Sequence, residues 1–266
     1  MISFPLLKRE IKANYKLLLI FMGVLTMYVS MIVYMFDPKI GETLQAFEES
    51  MPGVMAAFGM SNMGTTLTEF LTSYLFGFLL LIFPMIFEII LSNKLIARYV
   101  DRGSMAYILA SPNSRKKIAF TQGLFLIKSI AILLTYTMIV GIVTSEIAFP
   151  GSLDIPKYIL LHVGLLCLHI AISGLGFLTS CLFNDTKFSY AISAGVPIGF
   201  YLIQMLANMG GHLENLKYIT IFTLFDTDKL IAGDANGIFM ILILLVSGLI
   251  LYAAGIWQFN KRDLPL

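Results

Sequence analysis

Apolar residues fall into six stretches along the chain, roughly 17–36, 70–91, 118–143, 158–183, 188–207 and 238–257, and the charged residues gather mainly between them. At a rise of about 1.5 Å per residue, a helix of about 20 residues crosses a hydrocarbon core about 30 Å thick. The pattern therefore predicts an all-α integral membrane protein with six transmembrane helices, organised as one transmembrane domain over 1–266. The longest connections, about 26 to 33 residues, are too short to bury a core of their own.

Composition supports the same reading. The chain is 58% hydrophobic and only 13% charged, with a mean hydropathy of +0.85, whereas a soluble domain carries about 25% charge. The formal net charge of +2 says little until the basic residues are placed. Lys8, Arg9, Lys12 and Lys16 precede the first stretch; Lys94, Arg98, Arg102, Arg115, Lys116 and Lys117 separate the second from the third; Lys187, Lys261 and Arg262 fall on the same side. The opposite side holds Lys39, Lys157, Lys217 and Lys229. By the positive-inside rule both termini are expected in the cytoplasm. The acids, among them Asp37, Glu69, Asp154, Glu214, Asp226, Asp228 and Asp234, describe the outer face without setting topology.

Residues 1–16 interleave Ile2, Phe4, Leu6, Leu7, Ile11 and Tyr15 with Lys8, Arg9, Lys12 and Lys16, the pattern of an amphipathic helix lying in the inner headgroup region. The apolar run after it is too long for a signal peptide and reads as a retained first span. Cys167 and Cys181 lie on one predicted helix, 14 residues and about 21 Å apart, too far for a disulfide. His162 and His169 share a face of that helix, where interhelical hydrogen bonding competes with a metal or proton-relay role. Two charges fall inside predicted spans, Glu88 near the inner end of the second and Lys128 deeper in the third; the expectation is that they pair across adjacent helices. Pro84 and Pro197 remove backbone donors and are expected to bend their helices. No HExxH, GxSxG or GxxxxGK[ST] occurs in the chain, and Gly174 and Gly176 do not form a dinucleotide fingerprint, so no enzyme site is visible. Any ATP-driven work would need the phosphate-cradling loop of another chain.

The stretch from Arg98 to Lys117 is the most specific. Charged residues carry the second helix out of the bilayer, Gly103 and Ser104 interrupt it, Met105 to Leu109 form a short apolar patch, and Ser111-Pro112-Asn113-Ser114 is a turn before the basic cluster. An exposed apolar patch at a membrane surface invites a protein partner or rests on lipid.

This segment resembles the cytoplasmic loop of type-2 ATP-binding-cassette (ABC) exporter permeases, with its acidic-Arg-Gly pattern (Asp101, Arg102, Gly103), short apolar helix, Ser-Pro (Ser111, Pro112) and basic cluster (Arg115 to Lys117). The ending Phe259 to Leu264 is similar to the family's aromatic-x-x-Arg-Asp-Leu tail, and Met51 to Gly59 to its outer segment after the first span. The resemblance implies a non-catalytic permease subunit that dimerises with a second copy or a paralogue. It would carry two cytoplasmic ATPase subunits, which hold the ATP and magnesium, while this chain needs no cofactor or metal. It implies a multi-pass protein of the bacterial cell membrane, with no nucleic-acid partner. It also makes the loop a coupling helix seated on the ATPase, with Met105, Tyr107, Ile108 and Leu109 as the contact and Arg98, Asp101 and Arg102 at its rim. An outer hairpin would close the pathway, with Ile221, Phe222 and Phe225 in the gate. Spans two and five carry little polarity beyond Tyr74, Tyr201, Gln204, Asn208 and scattered Ser and Thr, which suits an amphipathic or hydrophobic cargo such as an antimicrobial or cytolytic peptide. An ATP-independent secondary transporter or channel, and a peptide-immunity or sensing subunit, remain the alternatives.

Overall fold

A computed structural model describes residues 2–37, 52–59 and 66–263. Among these every regular element is helical. Six helices are long and apolar enough to cross a membrane: α1 Phe4–Met35, α2 Leu67–Asp101, α3 Arg115–Ala148, α4 Ile155–Leu182, α5 Thr186–Asn208 and α6 Ala235–Lys261. Each contains one of the six apolar stretches or nearly so, and their polar ends extend past it. Lys39 lies outside the described residues, as do Met51 at the start of the expected outer segment and Leu264 at the end of the tail motif.

Polar side chains fix where these helices begin. Thr66 and Glu69 form a reciprocal capping box at α2. Ser114 accepts from the Lys117 amide at α3, Asp154 from that of Lys157 at α4, Asp185 from that of Lys187 at α5 and Asp234 from that of Asn236 at α6. Several acids of the expected outer face are therefore helix caps. The N-terminal segment is continuous with the first span, since α1 runs unbroken from Phe4 to Met35. Leu6, Glu10 and Asn14, spaced by four, turn one face of its first half into the bundle.

α4 is the central helix and the most buried of the six, followed by α2. α6, α2, α3 and α5 surround α4, and α1 packs mainly on α3. α2 is composite: an α-helical turn Leu67–Leu71, a π-helical stretch Thr72–Leu79, an α-helix Leu80–Leu95 that contains Pro84, and a final turn Ala97–Asp101. Side-chain hydrogen bonds join the layers where lipid offers none: Asn93 Nδ2 donates to Ser193 Oγ at 2.8 Å, Ser180 Oγ to the Ser92 carbonyl at 3.0 Å, and Tyr252 Oη to Ser173 Oγ at 2.9 Å. Small residues let α4 and α6 approach. A Cβ on Gly248 would meet the Ile170 carbonyl oxygen at 2.7 Å, and one on Gly174 the Gly248 carbonyl oxygen at 2.8 Å. Both obstacles are backbone. Gly248→Val is accordingly expected to push α6 off α4 and cost about 1–3 kcal/mol, as overpacking does, read as a lower melting temperature in mild detergent; an unchanged melting temperature would mean that the helices are not in backbone contact.

Candidate functional site

At the end of the bundle that carries the basic loop, α2 closes at Gly103, whose φ of +67° suits a residue without a Cβ. Helix Met105–Leu109 follows. Met105 is 0% exposed and Ile108 is also buried, while Tyr107 is 84% exposed and Leu109 half-buried. This corrects the expectation that all four form one exposed patch. Positions 105 and 108 share a face at about 100° per residue, and 107 lies opposite 105. The hydrophobic effect has turned the first pair onto the bundle, and Tyr107 alone of the large side chains stands fully out.

The rim residues diverge likewise. Asp101 Oδ2 accepts from Thr186 Oγ1 at 2.8 Å, tying the loop to the start of α5, Arg98 is half-buried and Arg102 exposed.

Two polar clamps brace this end, and neither is anticipated from the sequence. Glu10 of α1 is buried, and its Oε1 accepts from Tyr99 Oη at 3.0 Å and from Gln122 Nε2 at 3.1 Å, while Oε2 accepts from Asn14 Nδ2 at 3.2 Å. The Arg9 guanidinium lies over the Tyr99 ring, 5.1 Å from its centroid. α1, the foot of α2 and the start of α3 are thereby joined. The signal in the sequence is a lone acid on the apolar side of a basic segment. The second clamp uses the tail motif: Arg262 Nη1 donates to the carbonyls of Cys181 and Phe183 at the end of α4, and Arg115 Nη1 donates to the Arg262 carbonyl at 2.7 Å. A guanidinium here meets the negative end of the α4 dipole.

Inside the bundle Glu88 is not paired with Lys128. Lys128 is exposed on α3, because Ser129 and Leu126 face the bundle and 128 is rotated away from them. Glu88 Oε1 instead lies 3.2 Å from His169 Nδ1 of α4, with both side chains 0% exposed. His169 Nε2 lies 2.9 Å from the Leu80 carbonyl oxygen. That carbonyl is the one an amide at position 84 would bond, and Pro84 has no N–H. The histidine from α4 thus fills the gap that a proline opens in α2. His162 Nδ1 lies 3.0 Å from the Tyr158 carbonyl oxygen of its own helix, and its ring packs edge-on against Phe76 of α2, 4.9 Å between centroids. No group of three or more His, Cys, Asp or Glu that could hold a metal occurs among the described residues.

At the opposite end, a cavity of about 350 Å³ opens between the π-helical stretch of α2, the last turns of α5 and the connection to α6. Phe222 and Phe225 are buried in its wall, against Tyr201 at 5.5 Å and Phe76 at 6.4 Å between ring centroids, and Ile221 is half-buried at the start of the short helix Ile221–Leu224 that carries Phe222. Gln204 Oε1 accepts from Thr223 Oγ1 at 2.8 Å and holds the connection to α5. Lys217 pairs with Glu214 at 2.6 Å and Lys229 with Asp226 at 2.8 Å. The hydrogen bond to Asp226 holds the Lys229 ammonium above its ordinary pKa.

A family model described as ABC-2 family transporter protein matches residues 8–264. No curated protein and no solved structure matches the chain.

Proposed function

Since the chain belongs to the ABC-2 transporter family and is a multi-pass permease subunit that associates with an ABC ATPase, we propose that it is the membrane half of an exporter moving an amphipathic or hydrophobic substrate, such as a cytolytic peptide, out of the cell. Two permeases and two ATPase subunits make the transporter in this reading, with both termini in the cytoplasm and the basic loop facing the ATPase. The observation that carries it is the helix Met105–Leu109: Met105 and Ile108 anchor it to the bundle, and it offers Tyr107 to a partner. A short helix held so firmly can transmit a push. When the ATPases close on ATP, the push would pass into α2 through the turn at Gly103, into α5 through Asp101 and Thr186, and into α1 and α3 through Glu10.

Gating at Phe222 and Phe225 belongs to the same proposal, as does an apolar cargo path beside α2 and α5. Both suit the cavity wall that these residues build.

The test is to purify the tagged chain in mild detergent after co-expression with its neighbouring genes and to measure ATP hydrolysis. A co-purifying ATPase, with ATP-dependent extrusion of a labelled cationic peptide from cells, is the expected result. A chain that comes alone from every preparation and still moves solute would replace this reading with an ATP-independent carrier.

A further inference from the structure

The cavity at the end of the bundle remote from the basic loop has the construction of a ligand site, and nothing in the family assignment gives it an occupant. At about 350 Å³ it lies within the roughly 300–1,000 Å³ of small-molecule sites. Its deep wall is aromatic, made by Phe76, Tyr201, Phe222 and Phe225. Tyr201 is 6% exposed and its hydroxyl has no hydrogen-bond partner. A buried hydroxyl left unpaired is costly, and this one belongs to a residue lining the cavity; its oxygen is covered, so a ligand satisfies it by shifting the side chains beside it. The rim carries the carboxylates of Glu214 and Asp226. Their lysine partners sit in exposed pairs, with side chains 33% to 61% accessible in one and 28% to 39% in the other. Such solvent-screened pairs are weak, so an incoming cation can displace the lysine at little cost.

One wall is the π-helical stretch Thr72–Leu79, a geometry that frequently marks functional sites in helices. Gly77 makes that wall possible: a Cβ there would meet the Phe58 carbonyl oxygen at 2.7 Å. The short segment ending at Gly59 can therefore lie on α2 and complete the cavity.

Aromatic faces attract cations, carboxylates pair with them, and a phenol oxygen accepts a hydrogen bond from them. The aromatic wall favours a cation carried on an apolar chain over a freely hydrated ion. From these groups together we infer that the cavity binds a primary ammonium carried on an apolar chain, such as a lysine side chain of an amphipathic peptide. This rests on the proposed function for the source of the ligand, the exported peptide, and it names the group by which that ligand is held before release.

Binding can be measured without ATP. The full-length chain in lipid nanodiscs is titrated by calorimetry with the acetylated tripeptide amide Leu-Lys-Leu, and with counterparts carrying norleucine or glutamate in place of lysine. The lysine peptide is expected to bind at least tenfold more tightly than either counterpart. Tyr201→Phe removes a hydroxyl that holds nothing else in the protein, so its melting temperature should stay within a degree or two or rise, while affinity for the lysine peptide falls about tenfold. Asp226→Asn should weaken the same peptide and leave the norleucine one unchanged. Equal affinities for lysine and norleucine peptides, or full affinity in Tyr201→Phe, would overturn the site. A chain that retains its ATPase yet binds no lysine peptide loses this inference alone, whereas a chain with no ATPase that still binds it loses the exporter reading alone.

Discussion

Replacing His169 by alanine is expected to destabilise the bundle by on the order of 3 kcal/mol, because one side chain satisfies two buried groups on α2 and each orphaned group costs about 1–3 kcal/mol. The Leu80 carbonyl can only accept, so His169 Nε2 carries a hydrogen. The contact between Nδ1 and Glu88 then needs one further proton, held on either the carboxyl or the ring. Whichever holds it, the pair is neutral as a unit. That is how a glutamate with 0% exposure can sit between two apolar helices without the cost of a lone charge. Glu88→Gln tests this, since the amide N–H can donate to Nδ1 as the carboxylic acid does; it should cost under about 1 kcal/mol. Pro84→Ala restores the amide that bonds Leu80 and should soften the effect of His169→Ala when the two are combined. Thermal unfolding of the four variants in one detergent checks the scheme. Equal losses in His169→Ala and Glu88→Gln would mean that the pair is a true ion pair rather than a shared-proton unit.

The two halves of this site differ in how far they can be read from sequence. The six helices are legible because lipid allows only one solution for a backbone with no water to bond, and apolar length alone marks it. Glu88 and the two histidines are visible as buried polar residues for the same reason. The partner of Glu88 is not. Lys128 and His169 are both plausible from depth, and the choice depends on how α3 and α4 rotate about their axes, a matter of packing among Ser129, Leu126 and their neighbours. Pro84 carries a clue, since a proline inside a span leaves a carbonyl that some donor must satisfy; expecting only a bend misses it.

Glu10 is hidden for a different reason. Four basic residues around it give the segment the look of a surface helix, and the buried line Leu6, Glu10, Asn14 stands out only when Tyr99 and Gln122 are known to face it. A helix of five residues such as Met105–Leu109 has two faces, and its sequence does not state which is covered.

That last ambiguity decides the second large effect. Tyr107→Ala is expected to weaken ATPase binding by about 2 kcal/mol, roughly thirtyfold, because aromatic side chains on a rigid support are the commonest anchors of protein interfaces. Stability of the permease should move by less than about 0.5 kcal/mol, as for other exposed positions. Ile108→Asp must behave in the opposite way. Its side chain is buried against the bundle, so an aspartate there is a buried charge without a partner, and the helix detaches or the protein unfolds. Loss of the ATPase in Ile108→Asp would therefore say nothing about which atoms touch it, whereas loss in Tyr107→Ala, with an unchanged melting curve, would. Met105→Leu supplies the control, since it keeps the inward face apolar and of similar volume and should retain both stability and binding. If Tyr107→Ala keeps the ATPase at wild-type stoichiometry through purification, the contact must lie elsewhere, with exposed Arg102 and half-buried Arg98 and Leu109 the next positions to change.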